Sequence, residues 1–360
     1  MPPELELATK CYESYRIESS WQMRTVYITG GVWYITTTIL LLRAVRDRKN
    51  RYVPAHANFK IIVTNATVAI FCQTVPPSFS VWVAVYKSFT ETPDNCKTLI
   101  GGLECVALRG ASLITVPLLT LLHMVTLVER LCAYFHSERY EKRSKWYGIA
   151  SVPLAWMLAA LTMYYVVKLE SREVLMTHCT LTTNTNATRI LRFYQVVMVA
   201  DVIIAVCDGC LACVTSRKKS RIVTLIHSKR FSRDYDNYTL SRAYQENENG
   251  RILSMVFPVT TAFAFGHIVY AGLATVFRVF LVNPDDYRDF ETYIDKKIIL
   301  LSITEGIHMI FTTTLMVVIQ MYCRMGERLM NEKMAKVHKP DTDITFKLFN
   351  QQINYIKGSK

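Results

Sequence analysis

Seven apolar blocks, each about twenty residues or more in length, limit what this 360-residue chain can fold into. They cover residues 25–42, 61–86, 103–134, 147–167, 190–214, 252–280 and 298–323. About 20 apolar residues are what an α-helix needs to cross the hydrocarbon core of a bilayer. Lipid offers backbone N–H and C=O groups no partners, so each block must close its own hydrogen bonds as a helix. The chain is 51% hydrophobic with a mean hydropathy of +0.17, which favours one membrane domain over several soluble ones. The expected fold class is an all-α membrane protein, a seven-transmembrane helix bundle.

Charge sets its orientation. The loop after the first block holds Arg43, Arg46, Arg48, Lys49, Arg51 and Lys60, and the loop after the third holds Arg139, Lys142, Arg143 and Lys145. The loop after the fifth holds Arg217, Lys218, Lys219, Arg221, Lys229, Arg230, Arg233 and Arg242. The intervening loops are poorer in cations, and the last is acidic, with Asp285, Asp286, Asp289, Glu291 and Asp295. Basic loops stay inside, so the amino terminus lies outside and the carboxyl terminus inside. The formal charge of +13 therefore marks topology and an attraction to anionic membrane lipid, and nucleic acid is discarded as a partner.

Residues 1–23 carry Glu4, Glu6, Glu13 and Glu18 and lack the basic start and short apolar core of a cleavable signal. They read as an extracellular amino-terminal segment, 24–323 as the seven-transmembrane domain, and 324–360 as a cytoplasmic tail. The first block would serve as an uncleaved anchor. In the tail Met325, Leu329, Met330, Met334 and Val337 recur near helical spacing, with Arg328, Lys333 and Lys336 between them. That pattern suits a short amphipathic helix on the inner membrane face.

The outer cysteines are Cys11, Cys96, Cys105 and Cys179. Four cysteines allow three full pairings, which the sequence does not resolve. Cys105 with Cys179 is preferred, because Cys105 begins the third block and Cys179 is the sole cysteine of the loop after the fourth. Cys11 with Cys96 would then form a second bridge. The sequon at Asn186 lies in an outer loop and is the expected glycosylation site. Those at Asn65 and Asn237 fall in a span and an inner loop, beyond the transferase.

No enzyme is expected. The chain has no glycine-rich phosphate loop, no His-Glu-x-x-His and no nucleophile constellation, and it implies no cofactor. Cys207, Cys210 and Cys213 have metal-like spacing but stand on a membrane helix without histidine partners. They read as small residues packing between helices, and no metal is expected. Ionisable groups inside spans are costly in lipid and turn to the bundle interior. They are Arg109, His123, Asp201, Asp208, His267, Glu305 and His308. Arg109, Asp201, His267, Glu305 and His308 are the candidates for a pocket taking a small polar or charged molecule. The competing reading is that they satisfy one another, Arg109 with Glu305 for example. Asp208, near the inner end of span five, reads as a packing or signalling position.

The third block carries the most specific pattern. Cys105 opens it and Glu129-Arg130 closes it, roughly 37 Å apart along a helix. This resembles the third transmembrane helix of G protein-coupled receptors. Two motifs narrow the likeness: 128–135 (Val-Glu-Arg-Leu-Cys-Ala-Tyr-Phe) with Tyr140-Glu141-Lys142-Arg143, and 238–249 (Tyr-Thr-Leu-Ser-Arg-Ala-Tyr-Gln-Glu-Asn-Glu-Asn) leading into span six. Together they resemble the nematode serpentine chemoreceptors of the Sra superfamily, nearest class epsilon, with classes alpha and ab close behind.

The resemblance implies a chemosensory receptor in the plasma membrane of a sensory cilium, binding a small-molecule ligand and coupling to a heterotrimeric G protein. It implies that Arg130 holds the inactive state or meets the G protein, with Glu129 as its partner and Glu248-Asn249 at the inner end of helix six. Homo- or hetero-oligomers are left open. The chain departs from the rhodopsin-like pattern: Val318-Ile319 stand where Asn-Pro would precede Tyr322, and Met255-Val256-Phe257-Pro258 lacks the Cys-Trp before proline. A ligand-gated cation channel of the insect odorant-receptor type also has seven spans, but with the amino terminus inside. A transporter would show repeated halves, and none is found.

Overall fold

A computed structural model describes residues 3–50, 57–90, 96–136, 146–167, 175–179, 186–227, 240–281 and 290–338. Eight helices make up nearly all of it. They are α1 (Pro3–Ser19), α2 (Trp21–Asn50), α3 (Ala57–Thr90), α4 (Gly102–Phe135), α5 (Trp146–Val167), α6 (Ala187–His227), α7 (Leu240–Leu281) and α8 (Phe290–His338). Two short strands, β1 (Ile100–Gly101) and β2 (Leu175–Met176), pair antiparallel, Ile100 with Met176. The helices α2 to α8 are long and apolar enough to cross a membrane. The chain is a serpentine seven-helix bundle, as its hydropathy pattern implied.

The centre of the bundle is α4. It packs against α3, α5, α6 and α7, while α2, α3, α5, α6, α7 and α8 close a ring by neighbour contacts. Its buried positions Val116, Leu118, Leu119 and Leu122 meet Ile70 of α3, Ala159 of α5, Phe263 of α7 and Phe311 of α8 in one cluster. Lipid is as apolar as these side chains, so close packing rather than water exclusion must hold the helices together. At Gly266 a methyl group would come within 2.5 Å of the Thr314 side chain, so the absent side chain is what lets α7 lie against α8. Pro76, Pro77, Pro117, Pro153 and Pro258 all stand inside continuous helices. Threonine hydroxyls such as Thr74 and Thr126 spend their proton on the carbonyl one turn back, which keeps them tolerable in lipid.

Three elements differ from the sequence expectation. Residues 3–19 form a helix, α1, and it caps the bundle. The fifth and sixth spans continue as polar helix to His227 and from Leu240, so most of the third inner loop is helical. The tail is helical to His338, but as an unbroken continuation of span seven rather than a separate element. Hydropathy marks where a helix enters lipid and is blind to where it continues in water. Tyr140-Glu141-Lys142-Arg143, Asn237 and the end of the tail lie outside the described residues.

Candidate functional site

Buried polar side chains cross the bundle in three layers. The outer layer is assembled by loop 175–179. A disulfide joins Cys105 to Cys179 with Cα atoms 5.4 Å apart, and the β1–β2 pair holds the same segment over the start of α4. This brings His178 into the mouth of the bundle. His178 Nδ1 lies 2.9 Å from Glu18 Oε1 on α1, and Nε2 lies 3.5 Å from Glu305 Oε1 on α8. Arg109 of α4 donates to Glu305 at 2.5 Å. The Tyr27 hydroxyl is 3.1 Å from His178 Nδ1, and its ring stacks on the imidazole.

A lid covers this layer. A second disulfide, Cys11–Cys96, ties α1 to the loop after α3. Lys297 of α8 donates to Glu13 and, at 3.2 Å, to Thr177, and the Ser14 hydroxyl donates to the Thr177 carbonyl at 3.0 Å. Arg16 reaches Glu291 at 3.0 Å on the exposed side, where screening leaves such a pair worth about 1 kcal/mol or less. Beneath the lid is a cavity of about 20 Å³, lined by Glu18, Tyr27, Arg109 and His178, with room for about one water. Arg109 Nε and Glu18 Oε2 are buried there without a hydrogen-bond partner among the described residues.

His178 is held above its ordinary pKa. Burial works against its charged form, but hydrogen bonds to Glu18 and Glu305, with the attraction of both carboxylates, outweigh it. A raised folded-state pKa stabilises the fold fully below the unfolded value near 6.5, and that contribution is lost as pH rises through the folded value. The protein is therefore expected to melt at a higher temperature at about pH 6 than at about pH 8. His178→Gln should flatten that dependence. An unchanged pH profile in the variant would assign it to other groups.

The middle layer joins α4, α6 and α7. Asp201 of α6 pairs with His267 of α7 and accepts a hydrogen bond from Thr120 of α4 at 3.1 Å. The His267 ring lies parallel to Phe311, and His123 meets Phe263 edge-on at 4.8 Å. Arg109 and Thr120 are eleven residues apart on α4, roughly 16 Å along its axis. The five candidate ligand residues are thus not one pocket. Arg109 and Glu305 form an outer pair, Asp201 and His267 a central one, and His308 faces Tyr270 with ring centroids 5.4 Å apart.

The inner layer is built on Glu129 and Arg130, adjacent on α4 and paired, each 1% exposed. Arg130 also donates to Asn249 Oδ1 of α7 at 3.4 Å, and its guanidinium lies over the Phe59 ring of α3. Glu248 is buried beside Asn249. A charged group at the base of α4 thereby holds α3 and α7 together at their inner ends.

Other expected positions fall differently. Cys207, Cys210 and Cys213 are exposed on the outer surface of α6, so they do not pack between helices. Their spacing of three puts them on one helix face, and that face is exposed. No cluster of metal-binding side chains occurs among the described residues. Asp208 is buried on α6. Asn186 is 3% exposed, its amide donating to the Val167 carbonyl at 3.4 Å, while Thr188 of the same sequon is exposed. Glu18, Tyr27 and His178 were not singled out from sequence. The position of His178 beside the preferred bridge cysteine was the available signal for it, whereas nothing local marks Glu18.

The family model described as serpentine type 7TM GPCR receptor class ab chemoreceptor matches residues 8–354. Serpentine receptor class alpha-39 of Caenorhabditis elegans is 24% identical over 258 residues, covering 70% of this chain and 62% of that protein. The chain thus spans less than two thirds of the length of this curated relative. The match to class ab corrects the nearer likeness to class epsilon drawn from the Tyr-Glu-Lys-Arg stretch.

Proposed function

Because the chain belongs to the serpentine seven-transmembrane class ab chemoreceptor family, we propose that it binds a small polar or charged cue beneath the α1 lid and activates a heterotrimeric G protein at the inner ends of α4, α6 and α7. The observation that carries this reading is the hydrogen bond from Arg130 to Asn249 below a bundle whose outer end holds a second buried charged cluster. A cue engages the outer groups Arg109, His178, Glu18 and Glu305, which meet from α4, α8, the lid and its loop. It shifts the bundle between a closed arrangement and one in which α7 swings outward about Pro258. A ligand can shift that equilibrium only by as much as it prefers one arrangement. The plasma membrane of a sensory cilium is the location this reading implies.

The test is Asn249→Ala. Removing the acceptor frees α7 from Arg130 and costs about 1 kcal/mol, so basal nucleotide exchange on added G protein should rise about fivefold. Exchange would be measured in membranes across a panel of heterotrimeric G proteins, at matched surface expression. Basal exchange equal to the unmutated chain for every G protein would remove Asn249 from the coupling mechanism.

A further inference from the structure

A sizeable cavity among the described residues lies away from the outer charged cluster. It has a volume of about 140 Å³, sits in the inner half of the bundle, and is walled by α2, α3, α4, α7 and α8. Its wall includes Phe59, Ile62, Leu122, Val259 and Phe263. The hydroxyls that line it are spent on their own helices: Thr67 donates to the Val63 carbonyl, Thr126 to Leu122 and Thr260 to Phe257. His123 is the one ionisable side chain in the wall. The rim includes Val45, which is 45% exposed on a membrane-facing helix. An apolar cavity of about this size stays dry and takes up a molecule such as benzene.

We propose that this cavity is a second binding site, for a compact apolar molecule of about benzene's size that reaches it from the membrane. A charged or strongly polar occupant is excluded, because the wall offers it almost no hydrogen bonds. An occupant touches α7 between Met255 and Phe263, on either side of Pro258, and touches α2, α3 and α8 opposite. Phe59 also supports the Arg130 guanidinium. The occupant therefore fastens α7 to the ring of helices that it must leave in order to open. It acts as a negative modulator, and this consequence, unlike binding itself, rests on the function proposed above.

The probe is toluene, added to the full chain reconstituted in bilayer nanodiscs. At several times its dissociation constant it should raise the melting temperature by about 2 °C. Val259→Phe places a ring in the cavity and should abolish that rise. Ala66→Leu, a smaller filling of the same wall, serves if the first variant does not fold. No rise, or an equal rise in the folded filled variant, overturns the site, the latter because toluene would then be acting through the bilayer. In the exchange assay toluene should lower basal activity severalfold in the unmutated chain and not in the filled one. A retained melting shift with unchanged basal exchange would keep the site and overturn the outward movement of α7.

Discussion

Arg130→Ala is expected to abolish G protein activation and to destabilise the receptor by about 3–5 kcal/mol. The two losses have different origins. Glu129 and Arg130 are both buried, and their mutual pairing offsets the cost of taking each charge out of water. Removing the guanidinium takes a neighbouring countercharge from the buried Glu129 carboxylate, which is a penalty on the fold. It also removes the cation that this reading presents to the G protein once α7 has carried Asn249 away from it, which is a penalty on activation separate from release of the closed arrangement. Replacing both members at once, Glu129→Leu with Arg130→Met, separates them. Such a pair of apolar residues should recover most of the stability, since a buried ion pair is often no better than its hydrophobic replacement. It should not recover activation. Melting temperature and nucleotide exchange, measured on the single and double variants, read the two effects independently. Full exchange activity in the double variant would exclude Arg130 from coupling.

The outer cluster is the second place where one substitution should have a large effect. Arg109→Met leaves Glu305 with the His178 imidazole 3.5 Å away in place of a guanidinium, and a loss of about 3–5 kcal/mol is expected. Glu305→Gln should cost less, because the amide oxygen still accepts from Arg109, although the charge is no longer balanced. The double variant Arg109→Met with Glu305→Met should approach the unmutated stability and fail to respond to the cue. Coupling between the two single changes, read as the departure from additivity in a thermal or denaturant series, should amount to 1 kcal/mol or more. Additive effects would mean that the pair, although in contact, is not an energetic unit.

The membrane fold was legible because its governing signal is one-dimensional. Apolar length measures bilayer crossing, and the alternation of Arg- and Lys-rich loops measures orientation, so seven spans and an outer amino terminus follow without knowledge of packing. The Glu129-Arg130 pair was legible for a related reason: a charge at the end of an apolar block stands out against its neighbours. The same signal misled at Cys207, Cys210 and Cys213. Spacing placed them on one face of a helix but did not reveal that this face is exposed on the outside of the bundle. Class ab instead of epsilon was a similar limit, since a four-residue stretch does not separate sister classes.

The lid was hidden because α1 is a polar helix with no apolar block to announce it, and its contacts with Thr177, His178 and Lys297 are well over a hundred residues away in the chain. The division of the candidate ligand residues was hidden too. Periodicity says that Arg109, Asp201, His267 and Glu305 face inward, but the depth of each depends on how far its helix slides against the next. The sequence by itself determined which segments cross the bilayer, which way they run and which charges must be buried, because lipid penalises each segment alone. Only the tertiary structure decided which buried charges meet, since a partner's depth and side are set by packing between helices.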